Sequence, residues 1–180
     1  MKKDVRRLVI AAMLLALGMV LPFLTGQIPA IGQMISPLHI PAFICGLTCG
    51  WQWGLALGVV LPILRSVVFG MPPLVAVAIP MAFELGVYGL VCGLLYPRLL
   101  RVKDARKLPA MLAALVIAMV LGRIVGGAAK AVVMGLTGGG YTFAAFVAGY
   151  FTSTLVGAAV HLVLVPVVTL AVEKTSVRNA

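Results

Sequence analysis

Charged residues are scarce in this 180-residue sequence, and acidic residues are the scarcest of them. Only 10% of the residues are charged, and only four are Asp or Glu. Apolar residues make up 63%, and the mean hydropathy is +1.18. This composition excludes an ordinary soluble fold. It predicts an all-α integral membrane protein in which residues 1–180 form a single membrane domain.

The sequence also lacks the motifs of several enzyme classes. GLTGGGY (135–141) has no lysine to reach a nucleotide phosphate, so there is no Walker A motif, and HExxH and GxSxG are absent. We therefore expect no enzymatic activity, no catalytic residues and no cofactor bound by this chain. The three cysteines lie in apolar segments without a nearby His or acid, which favours packing over a metal site.

The basic residues are concentrated beside apolar segments. Of 14 Lys and Arg residues, 11 lie near the N-terminus, in the polar stretch 98–107 or near the C-terminus. The positive-inside rule places such clusters in the cytoplasm, which accounts for the net charge of +10 without nucleic acid as a partner. Both termini are therefore predicted to be cytoplasmic.

The apolar segments predict a bundle of six transmembrane helices, at about 8–24, 38–50, 51–69, 74–96, 109–134 and 142–172. Four crossings before the basic stretch and two after it keep all the basic clusters on one side. A re-entrant hairpin over 38–69 would leave four crossings with the same orientation. Both versions remain open at this stage.

Several ionisable residues are predicted to share one depth in the bilayer. Arg65, Glu84 and His161 each lie about 12 residues, or about 18 Å, from the cytoplasmic boundary, and Arg123 lies about 21 Å from it. Lys130 is nearer the outer surface. An unpaired charge at such depth costs about 2.5–3.5 kcal/mol, so we expect an Arg65–Glu84 ion pair that fixes the third helix to the fourth.

With Glu84 paired in this way, Arg123 and Lys130 have no acidic partner. A surplus of positive charge in the bundle suits an anionic or polar ligand. The alternative is that both cations meet backbone carbonyls, water or lipid headgroups. Hydroxyl groups near the outer end of the last helix either bind the ligand or bond back to their own helix. The predicted substrate-binding residues are Arg65, Glu84, Tyr88, Arg123, Lys130, Tyr150, Ser153 and His161.

Four stretches resemble one known family. They are AMLLA (12–16), LHIPAF (38–43), GLTCGWQWGLALGVVLPILRSVVFGMPPL (46–74) and AIPMAFELGVYGLVCGLLY (78–96). The chain resembles the substrate-binding S-components of energy-coupling factor (ECF) vitamin transporters, especially the subgroup with pantothenate, folate and riboflavin carriers. The likeness extends over nearly the whole chain.

The resemblance implies a multi-pass protein of the bacterial cell membrane that captures one vitamin from outside. Such a subunit docks on a transmembrane coupling subunit that carries two ABC-type ATPases, and these partners hydrolyse the ATP. The docking face would include Ala12 and Ala16, whose small side chains allow close helix approach. The resemblance also implies a pocket roofed by the outer loops, among them residues 25–37.

The substrate is left open by the sequence. Pantothenate is the first choice, because its carboxylate would suit Arg123 and Lys130. The alternative is riboflavin, pyridoxine, folate or another ring compound, which would stack on Phe83, Tyr88, Tyr141 or Tyr150. A different class, a stand-alone proton-coupled transporter, would require Glu84 to titrate.

Overall fold

The computed structural model describes residues 2–24, 35–102 and 106–178, and they are almost entirely helical, with no strand in these ranges. Most of the predicted outer loop 25–37 and part of the basic stretch 98–107 lie outside the described residues. Two short π-helical turns lie at Leu74–Ala78 and Ala148–Thr152. In chain order the helices are α1 (Lys2–Leu24), α2 (His39–Cys49), α3 (Trp51–Phe69), α4 (Ile79–Leu99), α5 (Lys107–Leu136), α6 (Phe143–Val147) and α7 (Leu155–Arg178).

The prediction of a helical, multi-pass membrane protein is confirmed at the level of length and composition. Five described segments are long and apolar enough to cross a bilayer: Asp4–Phe23, Trp51–Phe69, Leu74–Leu99, Lys107–Leu136 and Phe143–Val172. The segment predicted at 38–50 forms α2, whose 11 residues span only about 16 Å against a core of about 30 Å. Six full crossings and cytoplasmic termini therefore stay predictions.

The short helix α2 is nevertheless the most deeply buried element of the bundle. Every residue of α2 except Thr48 is buried, and α2 packs against α1, α3, α4 and α7. It ends at Gly50, whose φ of 95° lies in a region that side chains other than glycine rarely adopt. This break lets the chain reverse directly into α3.

Glycines bring α2, α3 and α4 into backbone contact. A Cβ at Gly46 would meet the carbonyl of Gly89, and one at Gly54 would meet both Gly46 and Gly89. A Cβ at Gly58 would meet the carbonyl of Leu85. Such close approach supplies the dispersion contacts that hold helices together where lipid removes the hydrophobic driving force. It also fixes the position of α4, which carries Glu84.

We predict that Gly89→Ala destabilises the protein, because the added methyl group would collide with the backbone of Gly54. The expected cost is about 1–3 kcal/mol. Gly135→Ala is the matched control, since nothing lies within 4 Å of a Cβ at Gly135. Unfolding of both variants in one detergent measures the difference. Equal stability of the two variants would contradict the assigned contact.

Candidate substrate-binding site

The buried carboxylate of Glu84 is held by the tyrosine one helical turn further along α4. The Tyr88 hydroxyl donates a hydrogen bond to Oε1 of Glu84 over 2.5 Å. The Tyr88 ring is fixed in turn, because it stacks on Phe43 of α2 with ring centroids 4.5 Å apart. On α5, a Cβ at Gly122 would collide with that ring. Helices on two sides therefore set the position of the carboxylate.

Two histidines complete the inner part of the cluster. His39, the first residue of α2, places Nε2 3.9 Å from Oε2 of Glu84, which is too far for a hydrogen bond. The His161 ring on α7 lies 5.6 Å from the His39 ring, centroid to centroid. Both histidines are buried, with 6% and 2% of their surface exposed.

Buried polar atoms of this cluster are left without partners. Nε2 of His39, Nε2 of His161 and the Tyr141 hydroxyl have no hydrogen-bond partner among the described residues. A buried polar group without a partner costs about 1–3 kcal/mol, and native structures contain few of them. Three such atoms from three segments of one cluster indicate a place for a bound molecule or ordered water.

The cations lie on α5. Arg123 donates from Nη2 to the Thr154 carbonyl over 3.5 Å, and its guanidinium lies 5.7 Å from the Phe151 ring centroid. Lys130 lies 5.9 Å from the ring centroid of Tyr141. Both cations are close enough to Glu84 to interact with it electrostatically, and Arg123 also acts on His39 and His161.

The polar face of α5 carries two cations with two glycines between them. Arg123, Gly126, Gly127 and Lys130 follow the spacing of one helix face. A Cβ at Gly126 would lie against both Glu84 and Tyr150, and one at Gly127 would meet the ring of Phe146. The glycines therefore let α4 and the 143–154 segment approach α5 between its two cations.

The structure brings together six of the eight predicted substrate-binding residues: Glu84, Tyr88, Arg123, Lys130, Tyr150 and His161. Ser153 is exposed, and its hydroxyl donates to the Gly149 carbonyl over 2.8 Å. Of the two alternatives for this hydroxyl, ligand binding or a bond back to its own segment, the structure shows the bond to its own segment. Whether the clustered residues bind a substrate stays a prediction.

The predicted Arg65–Glu84 ion pair is wrong. Arg65 is only 2% exposed, but it faces α1, where it donates a hydrogen bond to the Met19 carbonyl. Its guanidinium lies 5.0 Å from the ring centroid of Phe23 and 5.2 Å from that of Phe69. Depth along a helix does not determine which neighbouring helix a side chain faces. Arg65 on α3 faces α1, whereas Glu84 on α4 faces α2 and α5.

Sequence reasoning missed His39 and Phe43. Both belong to LHIPAF (38–43), which served only as a family signature. The available signal was a histidine at the start of a short apolar helix, since such a residue in a membrane segment is a candidate functional group.

We predict that Tyr88→Phe destabilises the protein by about 1–2 kcal/mol, because it leaves a buried carboxylate oxygen without its donor. Tyr141→Phe is the matched control. The Tyr141 hydroxyl has no described partner, so its removal breaks no hydrogen bond and should leave the protein at least as stable as the parent. Thermal unfolding of both variants checks this, and a larger loss of stability at Tyr141 would contradict the assignment.

The family of the chain follows from its sequence match. Residues 6–169 match the family described as "ECF transporter, substrate-specific component". No match was found among curated proteins or among solved structures. Because the match covers most of the chain, and the described residues form the expected bundle of apolar helices, the protein belongs to the substrate-specific components of ECF transporters.

Proposed function

We propose that this chain is the substrate-capturing S-component of an ECF-type ABC importer in a bacterial cell membrane, and that it takes up a small water-soluble vitamin. The observation that carries the proposal is a cluster of three unpartnered polar atoms, on His39, His161 and Tyr141, in which His39 lies beside Glu84 and Arg123 and Lys130 act on the same carboxylate. A polar molecule bound there would satisfy atoms that otherwise cost stability.

Pantothenate is the substrate that this arrangement favours. Its carboxylate suits the two cations, and its hydroxyl and amide groups suit the neutral polar atoms. Stacking of riboflavin, pyridoxine, folate or another ring compound has less support. Phe83 is 55% exposed on the outer surface of the bundle, and Tyr88 is already stacked on Phe43. Tyr141 and Tyr150 remain available for a ring.

The proposed docking face lies on α1. Ala12 and Ala16 are exposed, whereas Ala11 and Leu14 are buried against the bundle. Small side chains on the outer face of an apolar helix permit close approach by a second helix. The proposed partner is the transmembrane coupling subunit, whose two ABC-type ATPases hydrolyse ATP.

We expect Arg123→Met to weaken pantothenate binding by about 10-fold to 100-fold, the cost of a lost hydrogen bond to a charged group. Arg65→Met is the matched control, because Arg65 faces α1 and not the cluster. Its dissociation constant should stay within about threefold of the parent value. Isothermal titration with purified protein measures the dissociation constants of both variants. Equal losses of affinity would show that Arg123 is not part of the binding site.

Uptake by proteoliposomes tests the transport role. Pantothenate should enter only when the coupling module and internal or external ATP are supplied together with this chain. Ala16→Trp should abolish uptake while leaving pantothenate binding intact, because the indole would separate α1 from its partner helix. Val163→Trp, at an exposed position on α7, is the control and should retain uptake. ATP-independent uptake by this chain alone would instead support a proton-coupled transporter.

A further inference from the structure

We infer that the site recognises its ligand by two ends: a hydrogen-bond-donating head, a hydroxyl or primary ammonium group, at Glu84, His39 and His161, and a carboxylate toward Lys130. This inference rests on the proposed function and adds the orientation and chemical class of the ligand. It is carried by the free atoms of the inner cluster and by the direction of α5.

One donor group fits between the second oxygen of Glu84 and the nearest histidine nitrogen, that of His39. Oε1 accepts from Tyr88, so Oε2 is available, and it lies 3.9 Å from Nε2 of His39. For an atom placed about 2.9 Å from both, the angle between the directions to Oε2 and Nε2 is about 85°. A hydroxyl or ammonium group at that point can donate to one of the two atoms and contact the other.

The chemistry of His161 identifies its free nitrogen as an acceptor. The ring hydrogen-bonds to the backbone at Ile35 and Ser36, while Nε2 has no partner among the described residues. The backbone bond therefore involves Nδ1. A neutral imidazole that donates from Nδ1 to a carbonyl presents Nε2 as an acceptor. The inner cluster thus offers this acceptor on a ring that lies against His39, the residue next to Oε2 of Glu84.

An anionic group is disfavoured at this inner end. It would face the Glu84 carboxylate in a low-dielectric interior, where like charges repel strongly. A donor has the opposite effect, because it satisfies Oε2 of Glu84 without adding negative charge. A primary ammonium has three N–H donors and a compensating charge, and a hydroxyl has one donor with two acceptor lone pairs.

The anionic end of the ligand belongs further along α5. Lys130 lies four residues beyond Gly126, the position that contacts Glu84, which is about 6 Å along the helix axis. Arg123 lies on the other side of Gly126, with its guanidinium toward the 143–154 segment, and it acts electrostatically on His39, Glu84 and His161, so Lys130 marks the anionic end. A short, flexible hydroxy acid or amino acid can span this interval.

Two ligand pairs test the head group against the purified full chain. The first compares pantothenate with N-(3,3-dimethylbutanoyl)-β-alanine, which keeps the carboxylate and amide but lacks both hydroxyls. The second compares 6-aminohexanoate with hexanoate. We expect the donor-bearing member of at least one pair to bind about 100-fold more tightly than the other member. A ligand without the donor leaves buried polar groups of the protein unpaired.

The variants locate the discrimination. Glu84→Gln and His161→Phe should each reduce that preference to about tenfold or less, since each removes one acceptor from the inner end. Lys130→Met should weaken both members of the pair alike and leave the preference unchanged. Ser153→Ala, which changes an exposed hydroxyl bonded to its own segment, should alter neither quantity. Two independent inner variants keep the test usable if one of them fails to fold.

Specific outcomes would overturn the inference. One is the absence of preference in both pairs, whether both members bind equally or neither binds. Another is a preference that survives Glu84→Gln and His161→Phe unchanged. A third is a ligand-bound structure with only water at Oε2 of Glu84. Where pantothenate still binds, uptake that depends on the coupling module would leave the proposed transport role standing; where none of the four compounds binds, the choice of pantothenate falls together with the inference.

Discussion

The hydrogen bond from Tyr88 to Glu84 is the interaction on which the polar interior depends. A carboxylate deep in a membrane helix costs about 2.5–3.5 kcal/mol when nothing stabilises it. Here the stabilising donor lies one turn away on the same helix, so no arginine is needed at close range. Because the bond uses only Oε1, the second oxygen has no hydrogen-bond donor in the part of the chain that the structure describes. A salt bridge with Arg65 would have buried the same carboxylate without leaving it available.

The helices around Glu84 hold its carboxylate and the Tyr88 ring in place. Phe43 covers one face of the Tyr88 ring, and Gly122 lets α5 approach it closely. The glycine contacts among α2, α3 and α4 fix the helix that carries both residues. Because α2 is short, His39 at its start lies beside Glu84, and the helix N-terminus brings a partial positive charge toward the carboxylate.

Much of this architecture could be predicted from the sequence, because apolar length and basic clusters constrain membrane helices strongly. The segment 51–69 matches α3 residue for residue, and Glu84 and His161 lie in one cluster as their common depth suggested. Depth alone could not predict which face a residue occupies, so Arg65 was assigned to the wrong partner. His39 was missed because its role depends on where α2 begins.

A structure of the protein with bound pantothenate would test most directly whether Glu84 is a ligand-binding group rather than a structural one. We expect a ligand hydroxyl within about 3.2 Å of Oε2 of Glu84, the Tyr88 bond to Oε1 preserved, and the ligand carboxylate next to Arg123 or Lys130. A ligand bound elsewhere, with Oε2 contacted only by His39 or water, would contradict the central claim.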